Sequence, residues 1–176
     1  MQLRKINAGV SLLTTALLLV HAISISFWML SRGEIPKPGG LMPRILTGCM
    51  ALHVFISIDM VVTGIMSEKG SKGKKYPRLN ASTFLQRASG MLLILFTALH
   101  IAGATGAMTP PPAVHAVVPV LFFTIAMLHA AVSTGKAFIT LGIGDAKVFK
   151  AADVAVKVIC GVTLVADVIG FYLHVC

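Results

Sequence analysis

Four histidines, His21, His53, His100 and His129, fall one apiece inside four consecutive apolar stretches of the chain. Neutral imidazole is a good ligand for iron. A histidine within lipid is expensive to bury and by default marks a functional site. One such residue is equally well explained by a hydrogen bond between helices. Four, one per stretch, have the number and distribution to hold two flat haem groups, each gripped on both faces by an imidazole. Ser57 and Ser133 follow His53 and His129 by one helical turn, on the same face. From there a hydroxyl can bond a haem propionate or the backbone, or support the ring. Lys136 lies two turns after His129, placed either to pair with a propionate or to extend its head to the membrane surface. A flat group between helices needs small neighbours. Thr97, Gly103 and Ala104 supply them near His100, Gly48 and Cys49 near His53, and Ala126 near His129. His21 has bulkier surroundings in Leu17, Leu18 and Ile25.

The elements that must position these residues are legible in the composition. Of 176 residues, 56% are hydrophobic and 12% charged. That is about half the charge of an ordinary soluble domain. Five runs are almost free of charge, spanning residues 8–31, 43–67, 83–108, 113–142 and 150–175. Each reaches the ~20 residues a bilayer-spanning helix needs. They predict an all-α integral membrane protein, one domain over 1–176, with five transmembrane helices. The first four are expected to form a haem-binding four-helix bundle with the fifth on its flank. Arg4 and Lys5 before the first run resemble the start of a secretory signal, but the run is too long for one and is read as a retained helix.

The formal net charge of +9 does not point to nucleic acid, because its location is topological. Lys69, Lys72, Lys74, Lys75 and Arg78 cluster between runs two and three. Arg4 and Lys5 precede run one, and Lys147 and Lys150 separate runs four and five. A five-helix serpentine puts these three sites on one side. The positive-inside rule then predicts a cytoplasmic N-terminus in a bacterial or archaeal inner membrane, with Cys176 outside. The basic loop suits anionic lipid headgroups or a docked cytoplasmic subunit. Cys49, Cys160 and Cys176 have no paired metal spacing and are read as small packing residues.

Runs two and four align without a gap. In each the histidine is ten residues after a proline (Pro43, Pro119), leucine precedes it (Leu52, Leu128), and serine follows by four. Runs one and three match less closely. His21 is twelve residues after Gly9, whereas His100 is ten after Gly90. The repeat suggests pairing His21 with His100 and His53 with His129. His115 and His174 sit near helix ends and are assigned interfacial or quinone-proximal positions. Asp59 can pair with Lys136 or serve proton transfer, and Asp167 suits a structural hydrogen bond.

The segment FLQRASGMLLILFTALHIAG resembles the R-x-[ST]-G-x(9)-H helix of the cytochrome b membrane anchors of succinate dehydrogenases and fumarate reductases, through Arg87, Ser89, Gly90 and His100. The segment LHAAVSTGKAFITLG resembles their H-x-x-x-[GS]-x-x-[RK] helix through His129, Ser133 and Lys136, with lysine where arginine is usual. Five helices and histidines on the first four match the single-chain, two-haem type. The resemblance implies two b-type haems with His21, His53, His100 and His129 as iron ligands. It implies Ser57, Ser133, Lys136, Arg87 and Gly90 as cofactor-binding residues and quinone as substrate. It also implies a cytoplasmic iron–sulfur subunit joined to a flavoprotein subunit that carries the dicarboxylate active site, which this chain lacks. Two other readings use the same residues. In one, the haems serve a periplasmic cytochrome c or a thiol/disulfide partner. In the other, the chain is a non-redox transporter or scaffold.

Overall fold

The computed structural model describes residues 2–69, 81–108 and 111–175. It contains five helices in chain order: α1 (Gln2–Leu30), α2 (Leu41–Lys69), α3 (Ala81–Ala104), α4 (Pro112–Leu141) and α5 (Ala146–Val175). All five are long and apolar enough to cross a membrane. No strand occurs among the described residues.

The helix ends differ from the apolar runs for local reasons. α1 starts at Gln2 rather than residue 8, because Arg4 and Lys5 are good helix formers whatever their hydropathy. α3 stops at Ala104 rather than 108. Gly106 takes a left-handed φ of 73°, and the Met108 N–H turns back to the carbonyl of Ala102. α4 begins with proline in its first turn and is closed by Gly142 at φ 69°, whose N–H bonds the Ile139 carbonyl.

The packing has a definite order. α1 touches α2, α4 and α5; α4 touches α1, α3 and α5. α2 and α3 are the outer members, each fastened to one neighbour. Among the described residues no Cα atoms of α1 and α3, of α2 and α4, or of α2 and α3 come within 8 Å of each other. The core lies where α1, α4 and α5 meet, built from Ala22, Ala126, Met127, Ala130 and Cys160. Small side chains there let helix backbones approach, which is how helices gain contact in lipid. α5 therefore shares the core with α1 and α4. Its Asp167 is fully buried, and Ser26 of α1 donates to its Oδ1 at 2.5 Å. Large apolar side chains elsewhere, such as Phe55 at 73% and Met91 at 74% exposure, point away from the protein as lipid-facing residues do.

Candidate functional site

The four histidines lie in two layers. His53 and His129 form the layer nearer the N-terminal ends of α1, α3 and α5, an end rich in lysine and arginine (the basic end). The Nδ1 of His53 is 3.1 Å from the Oδ1 of Asn7 on α1. A carboxamide oxygen only accepts, so the ring donates through Nδ1–H. The Asn7 amide nitrogen donates in turn to the Ser57 hydroxyl at 3.2 Å. The Nδ1 of His129 is 3.0 Å from the Ser89 hydroxyl on α3. That hydroxyl donates its proton to the carbonyl of Gln86, so here too the ring is the donor. Both imidazoles are thereby set in the tautomer whose Nε2 carries the lone pair. The Nε2 of His53 makes no side-chain hydrogen bond to a described residue, and the His129 ring also hydrogen-bonds the Gln86 backbone. This is the usual arrangement around a metal-ligating histidine, in which the second ring nitrogen is fixed by a neighbour.

His21 and His100 form the other layer. Each lies nineteen residues into its helix, counted from Gln2 and from Ala81. Asn7 and Ser89, which mark the first layer, lie fourteen and eleven residues before them. At about 1.5 Å of rise per residue, the His21 and His100 backbones lie roughly 17–21 Å along their helices from those of Asn7 and Ser89. His100 stacks on Phe122 of α4, with ring centroids 4.5 Å apart and planes 12° from parallel. Phe122 precedes His129 by two turns, so one face of α4 serves both layers.

His21 and His100 are close enough to interact electrostatically, and so are His53 and His129. Yet no Cα atoms of the helices carrying each pair come within 8 Å of each other among the described residues. Two hydroxyls lie on the faces that carry the His21/His100 pair. Thr14 is two turns before His21, and Thr97 is one turn before His100. Both are buried without a hydrogen bond. Thr47, Thr124, Thr134 and Thr140 instead donate to carbonyls of their own helices. Among the described residues no group of three or more His, Cys, Asp or Glu side chains converges as a metal-ion site.

The remaining candidates have separate fates. Gly90 lies against His129, where a Cβ would sit 3.1 Å from the ring Cε1. Ser57 enters the Asn7 network, whereas Ser133 donates to the backbone carbonyl of His129 at 2.6 Å and does not reach the ring. Lys136 donates to Thr83 Oγ1 at 3.2 Å and Gln86 Oε1 at 2.9 Å, both on α3. The suggested Lys136–Asp59 pair is not formed: α2 and α4 do not touch, and Asp59 is exposed. Arg87 is exposed beside this lysine. His174 packs its ring 4.4 Å from Trp28 at the opposite end of the bundle, where Lys37 lies 5.1 Å above the same indole. The side chains of His115 and Lys69, and Lys72, Lys74, Lys75, Arg78 and Cys176, lie outside the described residues.

Asn7 was not singled out by the sequence, although a carboxamide within an otherwise apolar helix was the available signal. Ser89 stood in the family-like motif without a role. Taking Asn7 and Ser89 as equivalent also improves the alignment of α1 with α3. The intervals to the histidines then differ by three residues, most of a helical turn, which keeps the rings on similar faces. The glycine alignment left a half-turn discrepancy. No protein-family model, curated protein or solved structure matches the chain.

Proposed function

We propose that this chain is a dihaem cytochrome b. It would serve as the membrane anchor through which electrons pass between the quinone pool and a cytoplasmic iron–sulfur/flavoprotein module of the succinate dehydrogenase or fumarate reductase type. The observation that carries the haem reading is that His21 lies within electrostatic reach of His100, and His53 of His129, from helices whose Cα atoms stay more than 8 Å apart. The residues fit the group. Nδ1 of His53 and of His129 is held by a neighbour, Gly90 keeps α3 clear of the His129 ring, and Thr14 and Thr97 offer unpaired hydroxyls.

The four histidines would be the axial ligands, two per haem. Each haem, when bound, supplies an iron that accepts and releases one electron. Asn7 and Ser89 orient the rings. α4 would brace both layers through His129 and through Phe122, which stacks on His100. Lys136, held by Thr83 and Gln86 of α3, would supply a cation for a haem propionate. The quinone and the partner subunits follow from the resemblance around Arg87–His100 and His129–Lys136 and from the basic end.

A reduced-minus-oxidised spectrum of the purified full chain tests the reading. The expected result is a low-spin b-type signal with two haems per chain. His53→Ala and His129→Ala should each remove the same haem, and His21→Ala and His100→Ala the other. A protein that binds no haem overturns the proposal.

A further inference from the structure

The two histidine layers are built differently. In the His53/His129 layer both rings donate an Nδ1 hydrogen bond to a neutral oxygen, from Asn7 and Ser89. In the other layer no ring nitrogen of His21 or His100 is hydrogen-bonded among the described residues, and His100 is held by stacking on Phe122. The two donations also share one logic. Each comes from the second helix of a hairpin pair, α1–α2 or α3–α4, to a polar residue near the start of the first. Serines that match by sequence offset, Ser57 and Ser133, do not share this role.

Donation from Nδ1–H makes an imidazole more basic at Nε2 and fixes its orientation. A more basic axial ligand favours the more highly charged ferric iron, and therefore lowers the reduction potential. We propose that Asn7 and Ser89 are positioning residues for the axial ligands His53 and His129, and that they tune the potential of that one haem while leaving the other untouched. The inference rests on the dihaem reading and adds to it a means of setting the two haems separately.

Redox titration of the full chain, followed by its visible spectrum, is the test. The titration component of the His53/His129 haem is identified as the one missing in His129→Ala. Asn7→Leu and Ser89→Ala should each shift that component to higher potential and leave the second where it was. Ser89→Thr, which keeps the hydroxyl, should restore the original value. Thr134→Val removes a buried hydroxyl of the same helix that bonds only the Ala130 carbonyl, and should shift neither. Loss of the His53/His129 haem alone in Asn7→Leu or Ser89→Ala also supports the positioning role. The proposal is overturned if both haems stay bound with unchanged potentials, if both components move together, or if Ser89→Thr behaves as Ser89→Ala. A wild-type chain without haem overturns the dihaem reading itself, a result readily told apart from these.

Discussion

Gly90 shows how narrowly a ring position is set. A Cβ at this residue would lie 3.1 Å from Cε1 and 3.5 Å from Nδ1 of His129, closer than most real contacts of that kind. Gly90→Ala should therefore push the ring off its position against Ser89, and Gly90→Val should push it further. The helix itself gains from the change, since alanine is better than glycine in a helix interior by about 0.8–1 kcal/mol. A falling haem content in Gly90→Ala thus cannot come from a weaker α3. The expected outcome is loss of the His53/His129 haem with retention of the other, read as haem per protein. Unchanged occupancy in Gly90→Val would show that the ring has room to give. Histidine spacing was legible in the sequence because each ligand candidate is a rare polar residue in an apolar run. The supporting groups were not, because serine and threonine are common in such helices and their partners lie on other helices. Ser57 and Ser133 share one offset, yet one joins the Asn7 carboxamide and the other a backbone carbonyl.

At the scale of the helices, α5 bears none of the four paired histidines, but it closes the core. It is fastened at both ends by glycine. At Gly170 a Cβ would meet Cβ of Met29 at 3.0 Å, and at Gly135 of α4 a Cβ would meet the Asp153 carboxylate at 2.5 Å. Asp153 is held in turn by an ion pair with Lys157 one turn on. Enlarging Gly170 presses on the Met29 Cβ and the Ser26 carbonyl, and enlarging Gly135 displaces the Asp153 carboxylate, at a cost on the order of 1–3 kcal/mol for an overpacked site. Gly170→Leu has no flexible side chain to displace on the α1 side, since Met29 is met at its Cβ. Gly170→Leu and Gly135→Leu should lower the resistance of the purified protein to denaturation in detergent. Haem content under native conditions should change little, because every paired histidine lies on α1 to α4. Loss of haem in parallel with destabilisation would mean that α5 sets the spacing of α1 and α4 around the ligands. The number and type of the helices were fully readable from hydropathy. Their neighbours were not: apolar periodicity is weak where lipid and protein are equally apolar, so the sharing of the core between α1, α4 and α5 rests on small residues that hydropathy does not distinguish.

For the whole molecule, the distribution of charge makes a claim about orientation. Arg4, Lys5, Arg87, Lys136, Lys147, Lys150 and Lys157 all lie toward the basic end of the bundle. The opposite end carries Arg32, Lys37 and Arg44 with Glu34, beside Trp28 and the His174 ring. Amphipathic aromatic rings suit the headgroup level, and a lysine over an indole can keep its charge in water there. The positive-inside rule assigns the basic end to the cytoplasm. The proposed electron transfer to a cytoplasmic module would need that orientation, because the His53/His129 layer is the nearer of the two to the basic end. Single cysteines in a background without Cys49, Cys160 and Cys176 separate the alternatives. With a membrane-impermeant maleimide on intact cells, Lys37→Cys should label, whereas Lys5→Cys and Lys150→Cys should label only after the membrane is opened. The reverse pattern would place the His21/His100 layer toward the cytoplasm and would leave a cytoplasmic iron–sulfur partner facing the wrong end. Neutralising Arg4, Lys5, Lys147 and Lys150 together to glutamine should weaken the bias and yield a mixed labelling pattern, because the charge difference between the ends is what the insertion machinery reads.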